Sequence, residues 1–298
     1  MGLPWRDHPS WSVVGQLSQA TGRDLSHLLL EAPAEELRAT RNAQVAAFGL
    51  SMVALDALLG ELGGALPPGG PSGGLVAVAG HSLGEYSALV ASGALGAETA
   101  AVLVTERGEA MQQAAEAHPG TMAAVIGLDI ELVAEACSST EGAWVANDNT
   151  PGQVVVAGTP HGVAEAGAAC LERGAKRVLP LQVGGAFHSP LMAGAQPRLN
   201  AALDRARFAE AAHLLVANVD ATAHRSGFRD LLAAQLCSGV RWRQSLGTLA
   251  GLGATTFIEL GPGTELSGMV RRCLPEARRA NVAGPEDLSS ALEALAAA

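Results

Sequence analysis

Aromatic residues are scarce in this chain, with five Phe, four Trp and one Tyr among 298 residues. Lysine is scarcer still: Lys176 stands alone and arginine supplies the rest of the positive charge, a bias of coding rather than of chemistry. No apolar run approaches the roughly 18 residues of a membrane span. Arg6, Asp7 and His8 occupy the place where an export signal needs its apolar stretch, so the expectation is a cytoplasmic protein. The four cysteines, at 137, 170, 237 and 273, form no C-x-x-C pair, and none stands in metal-ligand register with a histidine; neither a disulfide framework nor a metal site is supported. Basic charge is also lacking in sum. A net charge of −10 argues against a nucleic-acid partner, whose phosphates must be met by Lys and Arg.

What is present is a chain with 48% hydrophobic and 16% charged residues, which excludes disorder and provides for one large domain or two. Residues 34–63 read as helix, and ALPPGGPSGG (65–74) ends it. Leu75–Ala79 is an apolar run of strand length, followed by a glycine-rich turn that opens into an Ala/Leu-rich helix. A further helix spans about 98–117 and stops at His118-Pro119-Gly120. From 121 the pattern changes. The runs at 123–137 and 154–170 share an apolar stretch, a Gly, a polar turn and a V-A-E-A helix ending in Cys. With strands at 143–147 and 176–183 they give the order βαββαβ of a ferredoxin-like unit. Residues 121–187 are therefore expected to form a small inserted domain, with 1–120 and 188–298 as a large α/β domain. Helices near 190–208 and 227–237 and strands at 214–219 and 255–260 complete it, with a parallel sheet expected.

Gly80-His81-Ser82-Leu83-Gly84 is a G-x-S-x-G in the context such a motif requires, a strand feeding a tight turn whose neighbours lack bulk. The following helix aims its free N–H groups at Ser82 and at any oxyanion formed there. Gly70-Pro71-Ser72-Gly73-Gly74 matches the same pattern with no strand before it, and Ser72 is assigned no role. On the 98–117 helix Arg107 falls within the apolar stripe of Leu103, Val104, Ala110, Met111 and Ala114. An inward guanidinium needs an anionic partner, either an internal Glu, which the residues alone favour, or a bound acyl carboxylate. His188, in GGAFHSPLM behind two glycines, is a candidate base for Ser82. Gln235 and Asn218, taken alone, are ordinary helix and strand-end residues.

These residues resemble the malonyl-CoA:acyl carrier protein transacylase family over nearly the whole chain. GHSLGEYSALVASGAL (80–95), ERGEAMQ (106–112), NDNTPGQVVVAG (147–158), GGAFHSPLM (184–192), ANVD (217–220), QLCSGVRW (235–242) and ELGPGTELSGMV (259–270) follow in family order. The resemblance implies an α/β-hydrolase-like large domain, a ferredoxin-like insert and an active site between them. Ser82 would be the nucleophile and His188 its base, oriented by a backbone carbonyl, that of Gln235. Leu83 N–H would be one oxyanion donor, and Arg107 would hold the malonyl carboxylate. Phe187 resembles the bulky residue of malonyl-selective members, and His81 and Asn149 match pocket positions. Malonyl-CoA and an acyl carrier protein would be the partners of a monomeric enzyme in fatty acid or polyketide synthesis, without metal or redox cofactor. The carrier is typically acidic, so a local basic patch is expected. Arg271, Arg272, Arg278 and Arg279, or Arg241 and Arg243, could form it, or could be plain solvated helix surface.

The likeness departs at the N-terminus. The family's first strand and GQGSQ-like loop, whose Gln supplies the second oxyanion N–H, have no match, since Met1-Gly2 aligns just after that loop. GQLSQ (15–19) is set aside as a decoy, because it lies closer to Ser82 than the family spacing implies and its surroundings read as helix. A start codon placed too late, a compensated oxyanion hole and a divergent activity stay open. The alternatives in function are an editing acyl hydrolase acting on the carrier and a non-catalytic carrier-binding subunit.

Overall fold

The computed structural model describes residues 1–67 and 74–296; Ser72 lies outside them. Helices fill the first third. α1 (Ser12–Thr21) closes on Gly22 in the left-handed region, and α2 (Leu25–Leu30) begins where the Asp24 carboxylate accepts from His27 N–H. Gln16 sits on the exposed side of α1, so GQLSQ is helical. The single helix expected over 34–63 is two, α3 (Ala34–Arg38) and α4 (Thr40–Glu61). The break has a tertiary cause. Ala39 turns to ψ 130°, Thr40 N–H donates to Gln112 Oε1 at 3.1 Å, and Asn42 Nδ2 donates to Glu36 O at 2.8 Å. No Gly or Pro marks the spot, so only packing could reveal it.

Of the strand expected at 75–79, only β1 (Val78–Ala79) pairs, in parallel with Leu215 and Val216. The turn then delivers α5 (Gly84–Ala91) and α6 (Ala97–Ala117). α6 packs closely on α4, because Gly108 faces it; a Cβ there would stand 3.0 Å from Arg41 Cα. α4 has the length and apolar composition of a membrane span, yet Val45, Phe48 and Val53 lie fully buried in the main core with α1, α5 and α6.

Residues 121–180 run β2 (Thr121–Ile126), α7 (Ile130–Ser138), β3 (Ala143–Thr150), β4 (Gln153–Gly158), α8 (Pro160–Glu172) and β5 (Arg177–Pro180). The strands form an antiparallel sheet in the order β3-β4-β2-β5. Strand alternation sorts its two faces. Ala123, Val125, Val154 and Val156 pack under α7 and α8, while Met122, Ala124, Val155 and Ala157 meet Ala186, Phe187 and Leu191 on the opposite face. The segment carrying His188 is thus laid along the sheet.

The chain then leaves the four-stranded sheet. The helix expected at 190–208 starts as a 3₁₀ turn (Pro190–Ala195) and becomes α9 (Gln196–Leu203). β6 (Leu215–Val216) and β7 (Ala223–His224) make an antiparallel pair, so the sheet β1-β6-β7 is mixed rather than wholly parallel. α10 (Phe228–Gln235), α11 (Trp242–Gly251), β8 (Thr256–Leu260) and α12 (Glu265–Cys273) follow. β9 (Arg278–Val282), parallel to β8, and α13 (Leu288–Ala296) end the described chain. Arg278 and Arg279 therefore stand on a strand, not on helix surface. The architecture is mixed α/β, and β3 is tied to the segment after α10: Asp148 N–H donates to Val240 O and Val240 N–H to Ala146 O, both at 2.9 Å.

Candidate active site

Ser82 adopts φ 51°, the left-handed region that a residue with a Cβ enters only at a cost. The turn allows it because Gly80 has no side chain: a Cβ there would lie 1.9 Å from Gly84 O. Two side chains hold the strained residue. Asn218 Oδ1 accepts from Ser82 N–H at 2.6 Å, and Gln235 Nε2 donates to Ser82 O at 2.9 Å. Leu83 is the N-cap of α5, and among the described residues its N–H donates to no acceptor, which leaves that donor available beside Ser82.

His188 also has a positive φ, 57°. Its Nδ1 lies 3.1 Å from Gln235 O and its Nε2 2.7 Å from Ser82 Oγ. A carbonyl can only accept, so Nδ1 carries the proton and the Nε2 lone pair faces the hydroxyl. Burial, and after it the Arg107 charge, push the imidazole down to about 3, against the pull of the Gln235 carbonyl. The ring is neutral at neutral pH.

Arg107 lies 1% exposed at the centre of this arrangement. Its Nη2 donates to Ser82 Oγ at 3.0 Å and to Gln235 Oε1 at 3.1 Å, and its Nη1 to Gln44 Oε1 at 2.5 Å. The Tyr86 ring lies beneath it, 5.7 Å from Cζ to centroid. Of the two partners left open by the sequence, the internal carboxylate is not used: among the described residues no carboxylate pairs with Arg107, and its Nε has no partner. Burial lowers its pKa, with Tyr86 and Glu85 opposing. A buried cation with neutral ligands is suited to receive an anion.

The other candidates surround this centre. His81 Nε2 lies 2.9 Å from Asn149 Oδ1, and its ring meets Trp242 edge-on at 5.5 Å; burial lowers its pKa. Phe187 packs where the main core and the lower face of the small sheet meet. Gln44, Glu85 and Asn218 are site residues that sequence reasoning missed. Gln44 had a signal, a polar residue on the buried side of an apolar helix; Glu85 and Asn218 had none beyond their motifs. Among the described residues no group of three or more His, Cys, Asp or Glu could hold a metal. Of the basic candidates, Arg243 is engaged by Asp148 at 2.9–3.1 Å and Arg279 by the carbonyls of Pro275 and Ala277, while Arg271 and Arg272 stand exposed at the end of α12.

A strained serine facing a neutral imidazole, with a carbonyl where a triad would have a carboxylate, defines a class: serine-dependent acyl chemistry by a dyad. Comparison with known proteins narrows the class. The acyl transferase domain model matches residues 15–292, and the chain belongs to that family. A malonyl CoA-acyl carrier protein transacylase of Bacillus subtilis is 40% identical over 277 residues, covering 91% of this chain and 84% of the relative. The crystal structure of an acyl carrier protein S-malonyltransferase from Vibrio cholerae superposes with a TM-score of 0.89 at 34% identity, covering 97% and 93% of the two chains. A type II polyketide synthase acyl-carrier protein in complex with its malonyl-transacylase contains a chain 35% identical, with a TM-score of 0.86 and coverage of 95% and 91%.

Proposed function

We propose that this protein transfers a malonyl group from malonyl-CoA to the phosphopantetheine thiol of an acyl carrier protein. The reading is carried by one observation: Ser82 Oγ lies 2.7 Å from His188 Nε2 and 3.0 Å from Arg107 Nη2, so base and carboxylate receptor converge on one oxygen. In the first half-reaction Ser82 Oγ attacks the thioester carbon, its proton passes to His188 Nε2, and Leu83 N–H donates to the oxyanion. The C–S bond breaks and the CoA sulfur leaves with the proton from His188. In the second, the carrier thiol gives its proton to His188, attacks the acyl-serine and restores Ser82. Arg107 exchanges Gln44 and Gln235 for the malonyl carboxylate, and Phe187 limits bulk at the acyl α-carbon. His81 and Asn149 line the pocket. No step calls for a metal or redox cofactor.

The same reading treats 1–120 with 188–298 as an α/β-hydrolase-like body and 121–187 as a ferredoxin-like unit; the βαββαβ order and the sheet order β3-β4-β2-β5 support the latter. Arg271 and Arg272, exposed at the end of α12 with Arg272 reaching Gln153 on the small sheet, are the basic patch we favour for an acidic carrier. We carry forward a monomeric, cytoplasmic enzyme, with no nucleic-acid or membrane partner.

Intact-mass analysis with malonyl-CoA and a holo carrier protein tests the function, with Ser82→Ala as control. The expected outcome is malonyl on Ser82 and then on the carrier, both absent from the control. Free malonate with a bare carrier would replace transfer by hydrolysis, and no acylation at all would leave a binding subunit.

A further inference from the structure

Glu85, three residues beyond Ser82 in the first turn of α5, is 1% exposed and has no part in the chemistry above. Its Oε2 accepts two hydrogen bonds, from Asn218 N–H at 3.1 Å and from Gln235 Nε2 at 3.0 Å. Those are the two residues that hold the strained serine. Asn218 takes Ser82 N–H on Oδ1 and gives Nδ2 to Gly80 O at 2.7 Å; Gln235 gives Nε2 to Ser82 O. The N–H and the carbonyl of Ser82 are therefore fastened by two residues that meet at one carboxylate oxygen, Gln235 through the same side-chain amide and Asn218 through its backbone N–H.

The Gln235 amide could in principle sit either way round. With Nε2 toward Glu85 and Ser82 O, both amide hydrogens are used and Oε1 accepts from Arg107. Turned over, the NH2 would face the guanidinium, donor to donor, and Oε1 would face a carboxylate and a carbonyl, acceptor to acceptor. Glu85 at one end and Arg107 at the other fix its polarity. An acidic residue in the first turn of a helix is favoured there by the dipole alone. Full burial is not required for that, and it costs desolvation that the two bonds offset.

We propose that Glu85 is a positioning residue, acting through Gln235 and Asn218 to hold Ser82 in its left-handed conformation and to turn Gln235 Oε1 toward Arg107. The inference rests on Ser82 being the reacting serine. Its test uses a probe independent of the natural acyl donor: an alkyl fluorophosphonate, with which Ser82 Oγ forms an O–P bond, the P–F bond breaks, fluoride leaves and the proton goes to His188.

Glu85→Gln keeps an acceptor oxygen for both donors, whereas Glu85→Asp keeps the carboxyl group and withdraws its acceptor by a methylene. Folded Glu85→Gln is expected to label within about threefold of the wild-type rate, and Glu85→Asp and Glu85→Ala about 10- to 100-fold slower, the scale of a misplaced reacting group. Combining Glu85→Ala with Gln235→Ala should cost less than the product of the two single effects, because part of what Glu85 does passes through Gln235. Should Glu85→Ala not fold, the Asp and Gln variants carry the comparison. Wild-type labelling in Glu85→Asp, equal loss in Glu85→Gln, or a double variant as slow as the product of the two single effects would each overturn the proposal. A wild-type protein that reacts with the fluorophosphonate but takes no malonyl from malonyl-CoA would overturn the proposed function and leave this inference standing.

Discussion

Burial does more than hide His188; it sets the range over which the residue can act. An ordinary histidine takes up its proton near 6.5, while here desolvation and the Arg107 charge hold that event down near 3. A lowered value means that the free base persists as pH falls. The rate of Ser82 acylation is therefore expected to show no limb with a midpoint near 6.5, a result that a stopped-flow pH series would check; a limb there would mean that water reaches the ring. Arg107 makes a second prediction at this scale. Arg107→Ala should lower malonyl loading about 10²- to 10³-fold, the cost of stranding a carboxylate without its partner, and should lower acetyl loading far less. Competition between malonyl-CoA and acetyl-CoA followed by mass spectrometry measures the ratio. The sequence made Ser82, Arg107 and His188 legible because each stands in a patterned context, an elbow, a stripe, a glycine pair. Glu85 escaped because its meaning lies in partners 133 and 150 residues away.

At the level of elements, the strand-turn-helix at 78–91 carries the most constraint per residue. Gly80→Ala would set a Cβ 1.9 Å from Gly84 O, a backbone atom that cannot rotate aside, so the turn must open. The expected outcome is loss of fluorophosphonate labelling at Ser82 together with a lowered melting temperature, whereas Gly84→Ala, which meets nothing within 4 Å, should leave the melting temperature nearly unchanged. The order of the elements in 121–180 could be read from the sequence because period-2 and helical patterns alternate cleanly there. Elsewhere the pattern was insufficient. The break at Ala39 is imposed by Gln112 and by the turn that Asn42 secures, and β1 shrinks to two residues because β6 pairs with no more of it. β9 begins with two arginines, and nothing in that stretch distinguishes a strand whose ladder is parallel to β8 from exposed helix.

Across the whole molecule, the four-stranded sheet meets α11 at Asp148 and Arg243. Asp148 is 5% exposed and accepts from Nε and Nη2 of an arginine on α11, in addition to the bonds that join β3 to Val240. Arg243→Met should cost about 2–3 kcal/mol by leaving that carboxylate buried without a partner, with Asp148→Asn restoring part of the loss in the double variant; urea titration would measure both. The join has a further meaning for durability. Val240 lies five residues beyond Gln235, whose carbonyl accepts from His188 Nδ1, so the join between β3 and Val240 and the orientation of the imidazole share one short segment. Fraying of β3 is therefore expected to cost activity at a lower temperature than melting of the main core, which residual activity and far-UV circular dichroism followed on the same heating ramp would check. On that expectation durability is a property of one short join, and a substitution that tightens it would raise the temperature at which activity is lost without touching the core.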